Sequence, residues 1–222
     1  MKWSRPLRTV AAVCVFGAAL CAPAAAETTS QYAALIHSIN PRLATHQTHK
    51  LAAEVIRDAQ REHLDARLLV ALVTVESRWR PSAVSSSGAV GLGQLMPHTA
   101  RLLGVDPSDS RQNLRATSTY FGRLVREFGA EGERLRLAIA AYNTGPVAIQ
   151  RAGGVPSGAM AYVQRVMSVW HAISARIGDA ARRALPHDTY IVAIAPVVPP
   201  FDEIVSVDDL PPYSLQYVID AP

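Results

Sequence analysis

At 222 residues with 49% hydrophobic content, the chain has room for one ordinary domain with extensions and enough apolar material for a full core. The formal charge of +4 gives no argument for nucleic acid, because three of the 22 basic residues lie in a leader-like N-terminus, leaving 19 against 18 acids. The remainder divides into a basic body over 27–178, with 17 basic and 11 acidic residues, and an acidic end over 179–222, with two against seven. A basic body suits an anionic polymer, although a solvated charged face accounts for most of these arginines.

Lys2, Arg5 and Arg8, the apolar segment from Thr9 to Leu20 and the small residues Ala24 to Ala26 follow the pattern of a secretory signal peptide over 1–26, with cleavage expected after Ala26. Its apolar part is short for a span of about 20 residues, and no later segment is long enough to cross a membrane. Cys14 and Cys21 both fall inside this leader, so the processed chain is expected to hold no disulfide, with stability resting on packing.

A helical extension is expected over 27–47, with a short helix from Gln31 to Ile39. From Thr48 to His63, Leu51, Ala52, Val55, Ile56 and Ala59 recur at helical spacing, and Glu54, Asp58 and Arg61 fall on the opposite face. Asp65 stands where an N-cap belongs, and Ala66 to Arg78 reads as the next helix, ended by Pro81. The serine- and glycine-rich run from Ser82 to Gly93 predicts a surface loop. Further helices are expected from Met96 to Leu103, Ser110 to Phe128, Glu133 to Asn143, Val147 to Arg151 and Ala159 to Ala184. No strand is expected before residue 185. Beyond Leu185, seven of the chain's 15 prolines and six acids without a basic residue predict a largely irregular tail that docks on a partner or along the domain surface.

The chemistry concentrates at the end of the third of these helices. Leu68 to Val75 is an uninterrupted apolar run closed by Glu76, and Leu69, Leu72 and Glu76 share one helical stripe, so the carboxylate is aimed at the core. Burial disfavours the ionised form and holds the proton to higher pH, which suits a general acid, whereas a helix-end glutamate swung towards Arg78 or Arg80 would do no chemistry.

Four motifs occur in order: Glu76-Ser77; Gly88 to Pro97, reading GAVGLGQLMP; Ala140 to Pro146, reading AAYNTGP; and Ala161 to Val166, reading AYVQRV. Together they resemble the catalytic domain of the soluble lytic transglycosylases, over about residues 48–175, within a domain expected over 48–178. The resemblance implies an all-α, goose-type lysozyme-like fold and an enzyme acting on the bond between N-acetylmuramic acid and N-acetylglucosamine in peptidoglycan. It implies Glu76 as the sole catalytic acid and base, and Ser77, Gly91, Gln94, Tyr142, Asn143 and Tyr162 as residues that position the acid or bind sugar. In particular, it implies that the Tyr142 hydroxyl orients the acid and that Tyr162 lies near the cleft. Each has a plainer alternative: a self-bonded helix-end serine, an ordinary turn, or core tyrosines. Gly93 stands where the family usually has methionine, so one apolar groove contact is expected to be missing; Gly158 to Ala161 likewise departs from the family's usual stretch.

No cofactor is expected. His46 and His49 lack the cluster that would complete a metal site, and His98 and His171 have no partners in the sequence pattern. The competing readings are a muramidase that adds water on the same fold, and a docking or assembly component of an envelope-spanning secretion or conjugation machine that uses the tail.

Overall fold

A computed structural model describes residues 21–183, with side-chain surroundings from 29 to 177. Most of the expected leader and all of the expected tail lie outside the described residues. Eight helices follow one another: α1 (Cys21–Ile39), α2 (Thr45–Glu62), α3 (Ala66–Ser77), α4 (Pro97–Leu102), α5 (Ser110–Phe128), α6 (Gly132–Thr144), α7 (Pro146–Ala152) and α8 (Ser157–Arg183). Among the described residues, β pairing is confined to two isolated antiparallel bridges, Val84 with Val90 and Val90 with Leu95.

α3 is the axis of the domain. Leu68 to Thr74 and Val75 are all buried, so it is apolar on every side and must be wrapped by other helices. α8 packs along it and presents Tyr162, Val163, Val166, Val169 and Ile173, each at most 2% exposed. At the start of α3, the Asp65 carboxylate caps the Arg67 N–H at 2.9 Å, pairs with the Arg67 guanidinium and accepts from the Trp170 indole at 3.1 Å. Burial pushes the Asp65 carboxyl upward, but these hydrogen bonds outweigh it and hold the group below its ordinary value.

Three expectations need correction. The first is the extent of α1, which includes Cys21–Ile39 and so reaches further towards the N-terminus than Gln31. Ala24, Ala25 and Ala26 favour this extension, since alanine is the strongest helix former. The second concerns α2, which starts at Thr45 and whose Glu54 and Asp58, on the face opposite the apolar stripe, are only 6% and 5% exposed. α2 is held between α1 and α5, so its polar side meets another helix. There Asp58 pairs with Arg61, Glu54 faces Arg111, and Glu62 takes the Thr119 hydroxyl and the Arg126 guanidinium. Burial also holds the Glu54 carboxyl above its usual value.

Third, α3 ends at Ser77, before Pro81 can act. Arg78 (φ 50°) and Trp79 (φ 58°) are consecutive left-handed residues, a conformation costly for bulky side chains. The fully buried Trp79 indole, donating to Thr74 Oγ1 at 3.1 Å, helps hold this reversal.

Candidate active site

Glu76 sits in the last turn of α3, where the helix leaves the core. Its carboxyl is pushed up to about 7, first by burial; the hydrogen bond from Tyr162 and the charge of Arg165 act in the opposite sense. The Tyr162 hydroxyl donates to Glu76 Oε1 at 2.5 Å. A carboxylic acid with its proton near neutrality, gripped at one oxygen, is poised to give up that proton and take one back.

Tyr142 does a different task from the one expected of it. Its hydroxyl donates to the Gly93 carbonyl at 2.7 Å, so it holds the glycine-rich loop while Tyr162 holds the acid. Tyr142 still lies close enough to feel Glu76: its phenol is raised well above the ordinary value, first by burial and then by that carboxylate. Helix packing explains the division, because α8 lies along α3 whereas α6 packs against α5, and its tyrosine ring stacks edge-on to Phe121.

The loop between α3 and α4 is fixed from α5 by Asn113, a fully buried residue that the sequence reading missed. Asn113 Oδ1 accepts from the Gly93 N–H at 2.8 Å, and its Nδ2 donates to Val90 O and Pro107 O at 2.8 and 2.9 Å. Gly91 has φ 80°, and a Cβ there would come within 2.4 Å of Asn113 Nδ2, so glycine allows the close approach of loop to helix. A Cβ at Gly93 would lie 1.8 Å from Thr117 Oγ1. Thr117 therefore occupies the space that a side chain at 93 would need. The signal for these residues was present: Asn113 and Thr117 are polar positions one turn apart within the Leu114, Phe121, Leu124 apolar stripe.

The other expected residues are dispersed around this frame. Ser77 is fully buried and its hydroxyl lies 3.4 Å from the Val73 carbonyl, turned into its own helix. Gln94 (φ 49°) donates its amide nitrogen to Ala83 O and Gly91 O at 3.2 and 2.9 Å, leaving its oxygen uncommitted by these bonds. Asn143 is 8% exposed at the end of α6. The histidine pair remains at the exposed start of α2, where His49 Nδ1 lies 3.0 Å from Thr45 O.

A cavity of about 510 Å³ opens beside the loop, lined among others by Gln94, Met96, Tyr120, Arg123, Tyr142 and Val147. Tyr120 and Tyr142 approach with ring centroids 5.6 Å apart. Aromatic faces, an amide and an exposed apolar rim at Leu102 and Val147 line it, while Glu76 and Tyr162 are not among its lining residues.

An all-helical fold wrapped around α3, with Glu76 in its last turn, defines a lysozyme-like domain. Residues 54–161, just under half of the chain, match the family model described as "Transglycosylase SLT domain", which supports a catalytic domain of that kind in this stretch. Among curated proteins, it is 40% identical over 103 residues to the membrane-bound lytic murein transglycosylase F of Alcanivorax borkumensis, covering 41% of this chain and 22% of that protein. It is 42% identical over 86 residues to the protein of the same name from Yersinia enterocolitica, covering 37% and 18%. The chain thus spans about a fifth of the length of these relatives. The fold is similar to the crystal structure of the 70 kDa soluble lytic transglycosylase of Escherichia coli, with TM-score 0.50 at 21% identity, over 71% of this chain and 30% of that one.

Proposed function

We propose that the chain is an exported peptidoglycan lytic transglycosylase that cleaves the β-1,4 bond between N-acetylmuramic acid and N-acetylglucosamine and leaves 1,6-anhydromuramoyl ends. The observation that carries this reading is Glu76, its proton held to about pH 7, bound by a phenol, with no second carboxylate among the groups that shift it. Hydrolytic glycosidases work with two carboxyl groups about 5 to 9.5 Å apart. One acid suffices when the nucleophile belongs to the substrate. Glu76 gives its proton to the departing glycosidic oxygen as the bond to C1 breaks. The resulting carboxylate then takes the proton of the muramoyl 6-hydroxyl while O6 bonds to C1. Glu76 ends protonated, and no water is consumed. Holding the internal hydroxyl in reach replaces a bimolecular attack with an intramolecular one.

Ser77, Gly91, Gln94, Tyr142, Asn143 and Tyr162 are read as the support for this step, with Tyr162 on the acid, Tyr142 and Gly91 on the loop, and Gln94 facing the groove. Mass spectrometry of muropeptides released from purified wall tests the proposal. Anhydromuramoyl products support it; reducing ends heavier by one water would assign a muramidase instead. Export rests on the charged, apolar and small-residue pattern of 1–26, and secreted protein beginning at Glu27 is its expected mark. Among the described residues, no helix is long and apolar enough to cross a membrane. The acidic segment 186–222 is read as a docking element, on the domain or on an envelope machine, that cleavage does not need: truncation after Leu185 should leave the rate on purified wall within about twofold, or about 0.4 kcal/mol of barrier.

A further inference from the structure

We infer that Asn40, outside the matched domain, is a positioning residue for Glu76. The inference rests on the reading of Glu76 as the acid. Asn40 follows α1 directly and is 9% exposed. Its Nδ2 donates to the Trp79 carbonyl at 2.8 Å, and its Oδ1 accepts from the Arg42 N–H at 3.2 Å, which fixes the orientation of the amide. Trp79 is the second of the two left-handed residues that turn the chain back immediately after α3. The family match begins at residue 54, so the group that grips this turn comes from a segment the match does not include.

The turn is short and under strain, which makes its supports matter. Arg78 N–H donates to Thr74 O at 2.9 Å and Arg80 N–H to Ser77 O at 3.1 Å, so Glu76 lies within the stretch these bonds close. Two left-handed residues in succession persist only where the surroundings determine them. From below, the Trp79 indole is held by Thr74; from above, its carbonyl is held by Asn40. Without the second bond, the peptide after Trp79 is held only at its Arg80 N–H, and the turn can relax towards a less strained conformation, carrying the last turn of α3 with it. Glu76 would then meet Tyr162 and the glycosidic oxygen less often in the productive geometry, and a small misplacement is enough to slow proton transfer.

α1 itself is anchored independently of Asn40. Tyr32, Leu35, Ile36 and Ile39 are buried in the common core, and Tyr32 lies near enough to Asp65, the cap at the other end of α3, for that carboxylate to add to the burial that raises its phenol to about 12. The first helix is thus tied into the core and to the neighbourhood of both ends of the helix that carries the acid.

The test uses the full chain and the variant Asn40→Asp, which keeps the size and the acceptor for Arg42 but removes the donor to Trp79. Ile36→Val is the comparison, because it trims the packing of α1 without touching the turn. With soluble glycan strands, Asn40→Asp is expected to lower kcat about tenfold while KM stays within about twofold, and Ile36→Val to leave both unchanged at a similar loss of Tm. Amide exchange at Arg78, read by NMR, is expected to quicken at least tenfold in Asn40→Asp alone. Unchanged kcat in Asn40→Asp, or equal losses in both variants at matched Tm, would overturn the inference. If wild type released no sugar product, the reading of Glu76 would fall by itself, while the Arg78 amide would still decide whether Asn40 fixes the turn; unaltered exchange overturns that too.

Discussion

Tyr162 and Glu76, separated by 86 positions, meet at 2.5 Å because α8 lies along α3. The phenol favours the carboxylate, and burial favours the acid more strongly, so the carboxyl settles near neutrality. Removing the hydroxyl removes the larger opposing influence and leaves only the charge of Arg165. In Tyr162→Phe, Glu76 should therefore hold its proton to higher pH than in wild type, and the pH at which kcat falls on the alkaline side should move upward. The lost bond to a charged group is worth about 1.5–3 kcal/mol, so kcat should drop at least about tenfold. A pH–rate profile in soluble glycan checks both, and an unshifted alkaline limb would separate Tyr162 from the acid.

Tyr142→Phe should behave differently. Its hydroxyl serves the Gly93 carbonyl, so the variant leaves a buried acceptor unpaired at a cost of about 1–3 kcal/mol of stability. Because no bond to Glu76 is lost, the alkaline limb of the profile should stay where it is in wild type. The loop instead loosens against the groove, raising KM more than it lowers kcat. Thermal melts beside the same pH–rate measurement distinguish the two tyrosines.

The contrast between these tyrosines shows where a sequence stops being sufficient. Asp65, Gly129 and Pro146 mark helix ends by local chemistry, and all stand at observed boundaries. For Glu76 the apolar run leaves two orientations, inward or out towards Arg78 or Arg80, and the hydrogen bond from Tyr162 comes from packing that the run does not encode. Which phenol reaches it depends on how α6 and α8 pack, and no local pattern encodes that. Asn113 was equally hidden, since its partners Val90 and Gly93 lie more than a dozen residues away across a loop with two isolated bridges. The burial of Glu54 and Asp58 was not legible because periodicity shows that a helix has a polar side, not whether a second helix covers it.

Gly93 and Thr117 form a pair that can be measured as one. A methyl group at 93 would fall on the threonine hydroxyl, and its Cβ would come within 2.7 Å of the Thr117 Cβ. Gly93→Ala should destabilise the domain by about 1–3 kcal/mol through overpacking. In Thr117→Gly, the offending atoms are gone, so adding Gly93→Ala to that background should cost clearly less. Chemical denaturation of the four proteins gives a coupling energy of about 0.5–3 kcal/mol if the contact is direct. Additive losses would place the strain elsewhere.

Glu76 should also lower stability in alkaline solution, and the sign follows from its raised value. Its carboxyl titrates near 7 in the folded chain and near 4.5 when unfolded. Between those values, the native state binds more protons than the unfolded state, so stability falls as pH rises, and the full cost is present above about pH 7. Glu76→Gln has no proton to lose and escapes this cost. The separation corresponds to at most about 3 kcal/mol, and to less in practice because the carboxyl keeps some exposure to water. Melting curves should therefore show Glu76→Gln more stable than wild type at pH 8, with the advantage shrinking through the interval and vanishing below about pH 4.5. The same variant should release no muropeptides at any of these pH values, since an amide cannot donate the proton. A Glu76→Gln protein that is less stable than wild type at pH 8 would mean that the carboxylate is welcome where it sits, and a general acid near neutrality would then need another source.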